Sequence, residues 1–296
     1  MKSISTKGMS RTDWLTNRRS GIGGSDIGVL LDVNKYKTPL QLFNEKTMGL
    51  HDDSENPATE FGLRLEGVVA KKFSEVHKCK VLEDFKIRFH PETDFFLCNI
   101  DRMVRPTKDS VDLPVGKGQG ILSIKTASQY SRKNWGESIP PSYYAQIQWE
   151  LFVTGLEWEM LALLVDGRYY EEFGPFFRNE EFIENARKVG FQFWTEHAQV
   201  EIPPAPQLMD IEAMETVVAP IEVTTDILSQ VRELKAQQVI KSQAESEEKK
   251  LKEALKFFMG EYDTLTRDGE VVATYKRISK KEFVSPAKSY RELRIK

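Results

Sequence analysis

Gly120-Ile-Leu-Ser-Ile-Lys-Thr-Ala-Ser128, taken with Phe95-Phe-Leu-Cys-Asn-Ile-Asp101 upstream, is the segment from which the architecture follows. Each stretch is an apolar, β-type run that ends in charged or small polar groups. Between them lie Pro106, Pro114, Gly116, Gly118 and Gly120, the composition of a loop with turns. Pairing of the two as a hairpin brings Asp101 and Lys125 together. A carboxylate that can hold a divalent cation, beside an ammonium, is the pair that metal-assisted phosphodiester hydrolysis uses. Position 123, two residues before Lys125 on the same run, is a serine.

Working outward, the chain reads as a mixed α/β protein. Upstream, residues 10–20 form a short helix with Trp14 and Leu15 inward. Gly21-Ile-Gly-Gly-Ser-Asp26 then feeds a helix capped by Ser25 or Asp26. A Gly-Gly-Ser turn at a helix N-terminus can seat a phosphate, and Arg18 or Arg19 precedes it; a plain capped helix is the alternative. A second helix starts at Thr38-Pro39, and His51–Pro57 reads as an acidic, polar loop. A longer helix spans about 58–77, its apolar positions Phe61, Leu65, Val68, Val69 and Phe73 recurring at helical spacing with Glu66 among them. Strands are expected at 80–83, 85–90 and 95–104. Downstream, Pro140-Pro141 introduces a helix ending at Gly155, on which Gln146 and Glu150, four apart, share a face. Trp158–Val165 reads as a buried strand, Tyr169–Phe177 as another, and 179–197 as an amphipathic helix with core aromatics.

Residues 1–201 are expected to form the main domain. A stiff Pro-rich linker covers 202–224, and 225–296 hold a long polar helix, a hairpin turning at Asp268-Gly269 and a basic end from Lys276 to Lys296. An apolar content of 40% with 29% charged residues supports an adequate core. The net charge of −3 argues against bulk electrostatic coating of nucleic acid, but not against a confined basic channel. Two cysteines, Cys79 and Cys98, lie in apolar surroundings without paired spacing, as expected for buried free thiols in a reducing compartment. They also exclude a four-thiolate iron–sulfur cluster. The N-terminus lacks the apolar segment of a signal peptide, and no run spans a bilayer, so a cytoplasmic location is expected.

Five pieces in order resemble the lambda exonuclease/YqaJ group of phage recombination exonucleases, in the PD-(D/E)xK nuclease superfamily. They are Arg18–Ser25, Phe61-Gly-Leu-Arg-Leu-Glu66, Asn99-Ile-Asp101, Ser123-Ile-Lys125-Thr, and Tyr144-Ala-Gln-Ile-Gln148 followed by Val153-Thr-Gly155. The resemblance implies a restriction-endonuclease-like fold, a mixed central sheet flanked by helices. It implies Asp101 as the central metal ligand, with the backbone carbonyl of Ile124 and an auxiliary Glu66. It assigns Lys125 to the attacking water, and Gln146 to the nucleophile or scissile phosphate. Arg18, Ser25 and Asn99 match a pocket for a terminal 5′-phosphate. It further implies Mg²⁺ (or Mn²⁺), double-stranded DNA ends, 5′-to-3′ digestion, a ring-shaped homotrimer, a single-strand annealing protein as partner, and a phage or prophage origin in a bacterial host.

Ser123 departs from that pattern, in which the position carries glutamate. A neutral hydroxyl is a poor ligand for a hard cation. Three accounts follow, in this order: a crippled enzyme that still binds DNA ends, a migrated carboxylate, or weak activity from Asp101 and Glu66 alone. The migrated group is assigned first to Glu150 and more distantly to Glu137. The alternative function is a non-catalytic end-binding or interaction module on the same fold.

Overall fold

The computed structural model describes residues 2–49, 57–133, 135–136, 138–213, 222 and 224–275. The chain divides into two units, Met1–Ala213 and Met214–Lys296. In the first unit, strand β1 (Ser3–Ser5) precedes helices α1 (Arg11–Arg19), α2 (Gly24–Leu30), α3 (Pro39–Thr47) and α4 (Pro57–His77). Strands β2 (Lys80–Glu83), β3 (Lys86–His90), β4 (Thr93–Cys98), β5 (Arg102–Arg105) and β6 (Gly120–Ala127) follow, then helices α5 (Gln129–Lys133) and α6 (Pro141–Thr154). Strands β7 (Trp158–Val165) and β8 (Tyr169–Phe177), helix α7 (Glu180–Phe193) with a π-helical turn at Trp194–Ala198, and helix α8 (Leu208–Ala213) complete it. Helix α8 is held to the first unit where Thr38 Oγ1 donates to Asp210 Oδ1 (2.6 Å). The second unit holds helix α9 (Thr225–Met259) and the hairpin β9 (Thr264–Arg267)–β10 (Glu270–Thr274), which turns at Asp268-Gly269 as expected. The basic end, 276–296, lies outside the described residues, as do 51–56 and Glu137.

The central sheet runs β2-β5-β6-β7-β8. Strands β6 and β7 are parallel and joined through α6; the other pairs are antiparallel. All eight residues of β7 are buried, the near-continuous apolar run of a strand covered on both faces. Its side chains alternate between two cores. Trp158, Met160, Ala162 and Leu164 meet Val69, Ala70 and Phe73 of α4. Leu161, Leu163 and Val165 meet Ile27 of α2 and Ala145, Ile147 and Trp149 of α6. Strand β6 divides likewise, with Leu122 and Ile124 toward α4 and Ile121 toward α6. Ser123 and Lys125 therefore share the α6 face.

The expected single strand over 95–104 is two strands in two sheets. Strand β4 belongs with β1 and β3, β5 belongs to the central sheet, and the chain crosses between them at Asn99-Ile-Asp101. Strand β5 pairs with β6, Arg102 opposite Leu122, so the partner of Gly120–Ala127 is Arg102–Arg105 and not the expected run Phe95–Asp101; Asp101 stands at the mouth of this shorter hairpin. Phe61 and Val68, expected inward, are exposed on α4, because the sheet lies against the Val69–Phe73 side. The cysteines are buried free thiols. Among the described residues, no helix is long and apolar enough to cross a membrane.

Candidate active site

The mouth of the β5–β6 hairpin gathers most of the residues singled out above. Asp101 is anchored where Ile124 N–H donates to its Oδ2 (2.8 Å). Lys125, half-buried two residues beyond Ser123, places its ammonium over the Tyr143 ring at 5.5 Å from the centroid. Burial alone depresses an ammonium's pKa, but Asp101 and Glu150 outweigh it and hold that of Lys125 above its ordinary value. From α4, Glu66 accepts from Arg102 Nη1 (3.1 Å), which also donates to the Asp101 carbonyl (2.7 Å). Burial, and then the Asp101 charge, raise the Glu66 carboxyl.

Helix α6 supplies Gln146 and Glu150, and their four-residue spacing becomes a direct contact: Gln146 Nε2 donates to Glu150 Oε1 (2.6 Å). Glu150 is only 1% exposed, and its Oε2 has no hydrogen-bond partner. Burial and the neighbouring Asp101 push its carboxyl up to about 8. The start of α2 packs directly on this pair. A Cβ on Gly24 would come 3.0 Å from Gln146 Cγ and 3.2 Å from Glu150 Oε1, so only glycine leaves the contact undisturbed.

Ser123 does not face an empty site. Its Oγ donates to Oε1 of Glu159 on β7 (2.7 Å). Glu159 is fully buried, and its Oε2, like that of Glu150, has no partner. Burial, then the Glu150 charge, raise the Glu159 carboxyl well above the ordinary range. Sequence reading passed over this residue. The available signal is that it is the one charge inside the apolar run Trp158–Val165.

A second locus lies at the N-terminus of α2. The cap is Gly23, with Asp26 completing a capping box by accepting from Gly23 N–H (2.8 Å); the cap is neither Ser25 nor Asp26 itself. Ile22 is bridged to Phe96 of β4, and a Cβ on Gly21 would fall 2.3 Å from the Phe95 carbonyl oxygen, which fixes glycine there. Arg18, stacked on Trp14 at 4.8 Å, donates from Nη2 to Ser25 Oγ (2.9 Å). Lys46 Nζ meets Asp26 Oδ2 at 2.6 Å. Burial opposes both charges. Lys46 and Arg18 overcome it to hold Asp26 below the usual carboxylate range, whereas Lys46 is held below the usual ammonium range. Arg18 and Ser25 line a cleft of about 560 Å³ with Arg11, Arg19, Lys37 and Lys46. Those cations outnumber its carboxylates, Asp26 and Glu45, so the cleft suits an anion. Asn99 does not line it. Its Nδ2 donates to the Lys86 carbonyl (3.0 Å), leaving a buried Oδ1 without a partner.

Asp101 has a carboxylate neighbour on either side, Glu150 from α6 and Glu66 from α4, and carboxylate oxygens are the donors a hard divalent cation takes. The unpartnered, buried Glu150 Oε2 is an observation in the same direction, since such an atom left alone costs about 1–3 kcal/mol. Among the described residues no three His, Cys, Asp or Glu side chains are drawn close enough to enclose an ion. Mg²⁺ keeps several waters and takes one or two carboxylates, so a full cage is unnecessary.

The chain is similar to several known proteins. Residues 13–157 match the YqaJ-like viral recombinase domain family. The "Uncharacterized protein YqaJ" of Bacillus subtilis (strain 168) is 38% identical over 192 residues, covering 64% of this chain and 56% of that protein. The chain thus spans little more than half the length of this curated relative. The crystal structure of an alkaline exonuclease from Laribacter hongkongensis superposes with a TM-score of 0.51 at 19% identity, covering 64% of this chain and 94% of that one. The same exonuclease in complex with dAMP gives 0.52, with the same identity and coverage. At that identity the likeness establishes the fold, which is restriction-endonuclease-like. Residues 13–157 are a YqaJ-like viral recombinase domain.

Proposed function

We propose that this chain is a metal-dependent exonuclease of linear double-stranded DNA, with Glu150 providing the carboxylate that position 123 does not. The observation that carries the reading is Glu150 itself. It is buried beside Asp101 and Lys125, fixed through one oxygen by Gln146, and left with the other oxygen free. This favours the migrated-carboxylate account over the crippled enzyme. Mg²⁺ or Mn²⁺ would be held by Asp101, Glu150 and the Ile124 carbonyl, with Glu66 nearby, and when bound would lower the pKa of its water and polarise the phosphate. Lys125 stabilises the charge that develops at the scissile phosphate. Gln146 keeps Glu150 oriented through the step. Arg18 and Ser25, at the N-terminus of α2, bind the terminal 5′-phosphate. The Laribacter exonuclease is described in complex with dAMP, a nucleoside monophosphate whose phosphate is the kind of group this cleft suits.

Digestion from the 5′ end, a homotrimer around the duplex, a single-strand annealing protein as partner, and action in the cytoplasm of a bacterial host by a phage or prophage product complete the proposal. The test is digestion of 5′-phosphorylated linear duplex, labelled at either end, with Mg²⁺ or Mn²⁺. Release of nucleotides from the 5′ end by the native protein, lost in Glu150→Gln and absent on closed circular duplex, is expected. Binding of duplex ends without degradation in either metal would sink the enzyme reading and leave the end-binding module.

A further inference from the structure

We propose that Glu159 is the outer carboxylate of the cation site, a positioning residue acting on the bound ion through the Ser123 hydroxyl and the ion's own water shell. The inference rests on the proposed cation site and extends it to a residue on another strand.

In the parallel β6–β7 register, Ile121 pairs with Glu159 and Ser123 with Leu161. Glu159 therefore lies on the same face as Ser123 and Lys125, one step deeper. Its side chain reaches up the sheet to accept from Ser123 Oγ at 2.7 Å. That bond uses the only hydroxyl proton of Ser123, so the lone pairs of Oγ are left to face away from Glu159. It also leaves Glu159 Oε2 fully buried and without a partner. In the metal-free protein a proton on Oε1, donated to Ser123 Oγ, would remove the buried charge but would still leave Oε2 without a partner. A purely structural glutamate in an otherwise apolar strand would be replaced by a hydrophobic residue at little cost. What answers both this oxygen and the equally unpartnered Oε2 of Glu150 is positive charge or oriented water between β6, β7 and α6.

The test is Mn²⁺ binding to the full chain, by titration calorimetry and by loss of the free-ion electron paramagnetic resonance signal. Glu159→Gln keeps the acceptor for Ser123 and the volume, and is expected to weaken Mn²⁺ about tenfold or more, the usual effect of removing an outer partner. Ser123→Ala, which deletes only the hydroxyl, is expected to do the same and serves if Glu159→Gln fails to fold. Moving the charge across the strands in the double variant Ser123→Glu/Glu159→Gln is expected to restore affinity to within about threefold of native. Affinity within about twofold of native in Glu159→Gln would overturn the proposal. Asp101→Asn separates the two levels. If it loses Mn²⁺ while Glu159→Gln does not, only the role of Glu159 falls; if it too binds normally, the cation site itself falls.

Discussion

Glu150→Gln is expected to make the metal-free protein more stable and the enzyme inactive, by an amount that depends on pH in a stated direction. The carboxyl of Glu150 titrates near 8 in the folded protein, because it is buried against Asp101, and near 4.5 when unfolded. Below about pH 4.5 both states are protonated, and the group contributes nothing. Between about 4.5 and 8 the folded state retains a proton that the unfolded state releases. Stability of the native protein therefore falls as pH rises, by about 1.4 kcal/mol per unit. By pH 8 the loss reaches about 3–5 kcal/mol. The glutamine variant carries no such group, and its amide oxygen can still accept from Gln146 Nε2. In EDTA the variant should match the native protein near pH 5 and exceed it progressively toward pH 8. Urea unfolding at four pH values gives the difference directly. Adding Mn²⁺ should close the gap by stabilising only the native protein, through mass action, while nuclease activity of the variant falls about 10²–10³-fold. A stability difference that stays flat from pH 5 to 8 would refute the placement of Glu150 as a buried carboxylate awaiting a cation.

Three further outcomes follow from the same geometry. Lys125→Met should lower cleavage about 10²–10³-fold. It should also move the acidic limb of the pH–rate profile upward, because Lys125 is a cation that holds Glu150 down. Gly24→Ala puts a methyl group 3.0 Å from Gln146 Cγ and 3.2 Å from Glu150 Oε1; a loss of about 1–3 kcal/mol in unfolding measurements is expected, with weaker Mn²⁺ binding. Arg18→Ala should remove about 10–100-fold of preference for 5′-phosphorylated over 5′-hydroxyl duplex ends, the worth of a charge-assisted bond, with digestion of the hydroxyl substrate as the internal reference.

What the sequence disclosed, and what it withheld, divides along the kind of interaction involved. Interactions local in the chain were legible. The Gln146–Glu150 contact is a four-residue helical spacing, and the turn at Asp268-Gly269 is local in the same sense. Interactions set by which surface an element meets were not. Phe61 and Val68 fit the helical spacing as well as Val69 and Phe73 do, and only the position of the sheet against α4 decides which side is buried. The apolar run from Phe95 to Val104 looks the same whether it pairs in one sheet or two, since backbone partners leave no mark on local alternation. Yet its break at Asn99-Ile-Asp101 is what frees Asp101 from strand pairing and turns it toward Ile124 N–H.

Ser123 has a different meaning in the folded chain. Taken alone, the serine is a missing charge. In the folded chain it is one half of a contact with a residue 36 positions away, set by the register of two parallel strands and by nothing near it in sequence. A carboxylate is therefore within hydrogen-bonding reach of position 123 after all, offered from the adjacent strand, and a second stands above it on α6. Restoring glutamate by Ser123→Glu alone would set one carboxylate against another in a buried space, where like charges are costly. The single substitution that seems to repair the site should thus destabilise the metal-free protein, and become tolerable only when Glu159 is neutralised with it.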